Sequence, residues 1–187
     1  MGRRRWSGRS RSKYCFMKTL WHLVKRFTGS LQQKSISERD HLWVQQILSY
    51  QEMVLWESMP QNDQHHSIEV ARRVDKSLEK SEQTILTAAL LHDIGKVTSK
   101  TGVGMRVLAT LIGVVTSEIQ HKSWSQRPGR IGEIGRYLCH AIDGASLLQK
   151  AGSDSLVVTW ASEHHLPQHQ WTINLEIGKI LKSADDD

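Results

Sequence analysis

After residue 37, apolar residues recur at the three- and four-residue spacing of amphipathic helices, and no segment alternates like a β-strand. Val70 and Val74, for example, follow His66 at four-residue intervals along one helical face. The predicted helices cover 37–58, a segment opening at Asp63, 81–93, an apolar segment ending near 118, 132–150, a segment ending at 164–165, and 175–184. We therefore expect an all-α fold, a single-domain helical bundle without internal repeats.

Length and composition fit one globular domain. The chain has 187 residues, 24% of them charged, and seven tryptophans, which is not the composition of a disordered protein. Its two cysteines, Cys15 and Cys139, lie far apart and predict no disulfide framework. A reducing, cytoplasmic location is the expectation.

The positive charge is concentrated at the start of the chain. Residues 1–16 hold six basic and no acidic side chains, which accounts for the whole net charge of +6. The remainder is neutral, so a nucleic-acid partner is disfavoured. The segment 1–16 is expected to be a basic disordered tail or the product of a misplaced start before Met17. As a tail it could be simply solvated, a targeting peptide, or a tether to nucleic acid or anionic lipid.

No membrane-spanning segment is expected. The most apolar run, 107–115, is much shorter than the ~20 residues that a spanning helix needs. Residues 17–28 form a basic amphipathic pattern that allows weak peripheral membrane contact, but packing on the domain is the commoner outcome. The expected organisation is the tail 1–16, N-terminal helices over 17–60 that pack on the domain, and a metal-binding domain over 61–187.

The chemistry of the chain is concentrated in Leu-His-Asp-Ile-Gly-Lys at 91–96. Imidazole and carboxylate are both good ligands for Zn, Mn or Fe, and a carboxylate can bridge two ions. Neighbours on a regular helix point about 100° apart, so His92 and Asp93 can share a site only if they bracket the ions or the helix unwinds. Gly95 favours unwinding.

Further candidates follow the chain in a characteristic order. The potential ligands are His66, His92, Asp93, His140, His164, His165 and Asp185. Together with the Ile-Gly-Lys tail, this series resembles the HD superfamily of metal-dependent phosphohydrolases over about residues 60–187, and in particular its HDIG branch.

The resemblance implies two metal sites. His66, His92, Asp93 and Asp185 would hold one ion, and His140, His164 and His165 would hold the second, with Asp93 as the bridge. The implied cofactors are two divalent transition-metal ions, Fe or Mn, with Zn, Co or Mg as alternatives. A metal-activated water would attack the phosphorus, and Lys96 would hold a phosphate oxygen, so Asp93 and Lys96 are the catalytic candidates.

The assignment of the ligands involves a choice or an expectation at three positions. His66 is preferred to His65 because His-Ser-Ile-Glu-Val-Ala, which begins at His66, resembles the family pattern. Gly144 is expected to leave room at the site beside His140. For Asp185, which stands in a run of three aspartates, the reserves are Asp143 and Glu163.

The sequence restricts the identity of the substrate less than it restricts the metal ligands. The Gly-Tyr-Pro segment that follows the paired histidines of HD-GYP cyclic-di-GMP phosphodiesterases is missing after His164 and His165. Similar cyclic-di-AMP phosphodiesterases are attached to membrane-spanning segments. We expect hydrolysis of a phosphomonoester or phosphodiester of a small nucleotide or cyclic dinucleotide. A non-catalytic module that binds metal or nucleotide is the alternative, and a di-iron oxygenase is a third reading; the sequence gives no oligomeric state.

Overall fold

The computed structural model describes residues 35–80, 82–99 and 118–186, together with Ala109, Ile112, Gly113 and Thr116. These residues belong to one compact unit, Lys34–Asp187. The predictions for 1–28, and most of the predicted apolar helix before 118, lie outside the described residues. The described part contains nine α-helices and two short 3₁₀ helices but no strand, so the predicted all-α, single-domain fold is confirmed.

The helices are numbered here along the chain. They are α1 (Glu38–Ile47), α2 (Tyr50–Glu57), α3 (Gln61–Ser77), α4 (Gln83–Leu91), α5 (Glu118–Ser125), α6 (Gly129–Leu138), α7 (His140–Lys150), α8 (Ser155–Glu163) and α9 (Leu175–Asp186). The 3₁₀ helices span Ile94–Thr98 and Gln168–Gln170. None of these described helices is both long and apolar enough to cross a membrane.

The single helix predicted over 37–58 is wrong, because a capping box divides it. The Ser49 side chain accepts a hydrogen bond from the Glu52 backbone N–H, and the Glu52 carboxylate accepts one from the Ser49 N–H. This reciprocal pair starts a new helix at Tyr50. The predicted N-cap Asp63 is also displaced, since α3 begins at Gln61, directly after Pro60.

A second predicted helix, over 132–150, is also two helices. The backbone leaves helical geometry at Cys139, with φ −96° and ψ 6°, and α7 begins at His140. The Tyr137 carbonyl, which a continuous helix would pair with residue 141, accepts a hydrogen bond from His140 Nδ1–H. His140 therefore stands at the start of a helix and not in the middle of one.

Helix α4 forms the centre of the core. All its residues from Ile85 to Leu91 are buried, as expected for a helix that is apolar on every side. It packs against α3 on one side and α8 on another, and α9 packs against α3. The largest side chains around it, Trp56 and Trp160, are each 1% exposed. The core thus fixes the carboxyl end of α4, where His92 and Asp93 follow.

A close backbone approach joins the Ile94–Thr98 segment to α7. A Cβ atom on Gly95 would lie 1.8 Å from the His140 carbonyl oxygen and 2.6 Å from the Gly144 nitrogen. Gly95 is therefore required by packing, in a 3₁₀ helix that follows the end of α4. The space beside Gly144, predicted to serve the site, is taken by the Gly95 backbone.

Candidate metal centre

Three of the candidate histidines stand just after the ends of helices. His92 follows α4, His164 follows α8, and His140 comes two residues after the end of α6. Each ring donates a hydrogen bond from Nδ1 to the carbonyl three residues earlier, at 2.8 Å for His92, 2.6 Å for His140 and 3.0 Å for His164. Carbonyls at helix ends lack helical partners, so each bond satisfies one of them and turns Nε2 towards the site.

Asp93 lies between these rings, and its two oxygens face different neighbours. Oδ1 is 3.4 Å from His140 Nε2 and 3.6 Å from His164 Nε2. Oδ2 is 3.4 Å from His92 Nε2 and forms an ion pair with the Lys96 ammonium group. One carboxylate therefore contributes an oxygen to each side of the site.

The potential ligands form two groups. His66, His92 and Asp185 form the first, in which His66 Nε2 is 3.0 Å and His92 Nε2 is 3.5 Å from Asp185 Oδ1. The second group consists of Asp93, His140, His164 and His165. His165 Nε2 is 3.1 Å from His140 Nε2. Within each group the donor atoms lie within 4.8 Å of one another, so the seven predicted residues are brought together, and their role as ligands stays a prediction.

The electrostatics of the cluster are dominated by the two carboxylates. Burial on its own would lower the pKa of His92, but the charges of Asp93 and Asp185 raise it to about 10. Burial would raise the pKa of Asp93, yet Lys96 and His92 hold it well below its ordinary value, and His92 and His66 do the same for Asp185. Burial lowers the pKa of His164 to about 4.

The residues present fit divalent cations. His92 Nε2, Asp93 Oδ1 and His164 Nε2 are buried and have no hydrogen-bond partner among the described residues. Leaving such an atom unpaired costs about 1–3 kcal/mol. Ligands about 2.1 Å from one ion are separated by roughly 3.0–3.5 Å, close to the spacings found here. The negative ends of α4 and α8 lie directly before His92 and His164, which also favours a cation.

The family comparison agrees with this geometry. The HD domain family model matches residues 64–186. The chain belongs to the HD domain family. This family binds divalent metals, and the match supports an HD-superfamily, metal-dependent phosphohydrolase domain. Searches of curated proteins and of solved structures give no match.

The alternatives to Asp185 and His66 as ligands lie outside the two donor groups. Asp143 accepts a hydrogen bond from the Thr98 hydroxyl, and Glu163 accepts two from Thr172. Neither reserve for Asp185 belongs to the donor groups, and neither does His65. The sequence did not predict the backbone carbonyls that orient the rings of His92, His140 and His164. The only available signal was the position of a histidine directly after a predicted helix end.

Proposed function

We propose that this HD domain is a phosphohydrolase with two divalent ions bridged by Asp93. Its substrate is a phosphomonoester or phosphodiester of a small nucleotide or cyclic dinucleotide. The observation that carries the proposal is the division of the Asp93 oxygens, with Oδ2 facing His92 and Oδ1 facing His140 and His164. A carboxylate placed in this way suits a bridging ligand.

The two donor groups define the proposed ion sites. His66, His92 and Asp185 would hold one ion together with Asp93, and His140, His164 and His165 would hold the other with the same carboxylate. When bound, such ions activate a water at neutral pH and stabilise charge on the phosphoryl oxygens. Fe and Mn are the favoured ions, and Zn, Co and Mg are the alternatives. Burial of His92 and His164 keeps bulk water away from this part of the site.

Lys96 is proposed to bind a phosphoryl oxygen. Its side chain is 13% exposed and lies at the edge of the cluster, where its ammonium group contacts Asp93 Oδ2. A substrate phosphate that approaches Asp93 therefore meets this cation. Because a protonated ammonium group has no lone pair for a metal ion, removal of Lys96 would leave every proposed ligand in place, although Asp93 would lose its ion-pair partner.

A small substrate agrees with the charge of the chain. Outside residues 1–16 the basic and acidic side chains balance, which gives little attraction to a nucleic-acid backbone. The missing Gly-Tyr-Pro segment argues against cyclic-di-GMP in particular. The low cysteine content supports a reducing, cytoplasmic compartment.

The proposal is tested with a panel of nucleotides, dinucleotides and cyclic dinucleotides, using protein purified without chelator or air. The wild type should contain about two ions per chain and release phosphate or a nucleoside monophosphate. Asp93→Ala should lose both hydrolysis and paired ion binding, since it removes the bridge. Lys96→Ala should keep both ions and lose about 10²-fold or more in kcat, the usual effect of removing one group that stabilises transition-state charge.

Lys179→Ala is the matched control, because Lys179 is an exposed cation that pairs with Glu176 on α9. It should behave as the wild type. Full activity of the Asp93 variant would contradict the mechanism. Two bound ions without hydrolysis of any substrate would instead favour the non-catalytic metal- or nucleotide-binding module.

A further inference from the structure

The carboxylate of Glu163, at the end of α8, is held by a single residue of the following loop. Oε2 accepts a hydrogen bond from the Thr172 backbone N–H at 2.7 Å, and Oε1 accepts one from the Thr172 hydroxyl at 2.6 Å. Glu163 is only 8% exposed, although Thr172 lies at the surface. A buried carboxylate needs such partners, so both oxygens are committed to this contact.

The loop that starts at Glu163 contains His165, a candidate ligand whose ring has no Nδ1 bond to a backbone carbonyl among the described residues. His92, His140 and His164 are each anchored by a bond from Nδ1 to a carbonyl three residues earlier. The hydrogen bond and ring contacts of His165 are made with the rings of His140 and His164, and none of them reaches a backbone carbonyl among the described residues. Its direction therefore depends on the backbone of the turn that carries it.

That turn is closed from both sides. The Leu166 N–H donates to the Glu163 carbonyl at 2.8 Å, and the Trp171 indole N–H donates to the Leu166 carbonyl at 3.0 Å. Trp171 also packs edge-on against Trp160, with ring centroids 5.4 Å apart. Glu163 thus joins the start of the loop to its end, and Trp171 fills the space between them.

The loop is also fixed against α9. A Cβ atom on Gly178 would lie 2.8 Å from the Trp171 ring, so the ring rests directly on the helix backbone. Since α9 carries Asp185, the same loop contacts the helix that supplies the first donor group. With Trp171 seated in this way, the hydrogen bonds of Glu163 hold the far end of the loop, at Thr172, against the end of α8 that precedes His164 and His165.

We infer that Glu163 is a positioning residue that holds His165 in place for the second ion. The inference rests on the proposed two-ion site and deepens it. Glu163 does not reach the donor groups itself, and it acts through the loop 164–172, whose far end its carboxylate holds at Thr172. The first ion, held by His66, His92 and Asp185, should not depend on it.

Two substitutions separate the geometry of Glu163 from its charge. In Glu163→Gln, the amide oxygen can accept from the Thr172 N–H while the amide nitrogen donates to the Thr172 hydroxyl. This variant keeps both contacts and loses only the charge. Glu163→Ala loses both contacts, and the far end of the loop is then held by the packing of Trp171 and by the backbone hydrogen bonds of the loop.

The test is a Mn²⁺ titration of metal-free protein, in which bound ions are counted from the loss of the free Mn²⁺ signal in electron paramagnetic resonance. The wild type should bind two ions. Glu163→Ala should bind the first ion normally and the second about 10-fold more weakly, the lower end of the loss seen when supporting residues around metal ligands are removed. Glu163→Gln should match the wild type.

Asp154→Ala controls for general destabilisation of α8. Asp154 caps the opposite end of this helix by accepting a hydrogen bond from the Leu156 N–H. Its removal should lower the unfolding temperature without affecting either ion. If Glu163→Ala does not fold, Thr172→Val should show the same selective loss in a milder form, and Thr172→Ser should restore binding.

Each contrary outcome has a distinct meaning. Normal binding of the second ion by Glu163→Ala, or equal weakening of both ions, would overturn the positioning role while leaving the two-ion proposal intact. If Asp154→Ala weakened binding of the second ion as much as Glu163→Ala does, the positioning role would also be overturned, since the effect would then reflect the stability of α8. A wild type that binds no second ion would refute the two-ion site and, with it, the role of Glu163.

Discussion

Gly95→Ala should disturb the site through the backbone, without changing any side chain of the donor groups. The new Cβ atom would stand 1.8 Å from the His140 carbonyl oxygen, whereas real Cβ contacts essentially never fall below 3.0 Å. The start of α7 and the 94–98 segment must therefore separate by at least about 1.2 Å. Neither partner is the flexible end of a side chain, so the whole helix start has to move.

The expected cost is that of overpacking a core, about 1–3 kcal/mol in the free energy of unfolding. The displacement also carries His140 away from Asp93, whose Oδ1 lies 3.4 Å from the ring. A shift of this size is a large fraction of that spacing. The second ion should therefore bind at least about 10-fold more weakly, while the first ion is nearly unaffected.

Urea unfolding of the metal-free protein, followed by tryptophan fluorescence, measures the first effect. The midpoint should fall by roughly 0.5–1.5 M if the m-value is about 2 kcal/mol/M. Mn²⁺ titration of the same preparations measures the second effect. Gly144→Ala should be milder, because its Cβ would lie 3.0 Å from the Gly95 nitrogen.

Gly152→Ala separates the loss of stability from the loss of metal. Gly152 has a φ of +75° and open space around it, so an alanine there costs about 1–2 kcal/mol of backbone strain without touching the site. It should bind both ions normally. Unchanged stability and unchanged binding of the second ion in Gly95→Ala would refute the reasoning.

Two further predictions concern the first ion. Because His92 has a pKa of about 10, it is protonated in the metal-free protein near neutral pH, and occupation of the first site should release about one proton. Its apparent affinity should therefore rise as the pH increases towards 10; calorimetry in buffers of different ionisation enthalpy measures this release, and its absence would contradict the assignment of His92. Asp185→Asn removes the charge of a proposed ligand and should weaken binding of the first ion by at least about 10-fold while sparing the second, as measured by Mn²⁺ titration. Equal loss of both ions would show that Asp185 is not specific to the first site.

The periodic spacing of apolar residues was enough to predict the fold class and the separate helices α3, α4, α8 and α9. Local signals indicate the end of α4 and the start of α8. The apolar run of α4 stops before His92, and a turn at 151–154 precedes the helix that leads to His164. The breaks at Ser49 and Cys139 were missed. At both, a side-chain hydrogen bond to the backbone competes with helix continuation, and an apolar pattern does not report that competition.

The sequence by itself determined which residue types are available for metal chemistry, because a His-Asp pair and four further histidines followed by an aspartate can be read directly from the chain. Only the tertiary structure decided that their donor atoms form two groups, and that His92 faces Oδ2 of Asp93 while His140 and His164 face Oδ1. It also decided that Gly95 lies against the backbone of α7, and that Glu163 pairs with Thr172 and not with the cluster. These arrangements depend on contacts between residues distant in the chain and on backbone carbonyls that every residue carries, so local sequence spacing holds no record of them.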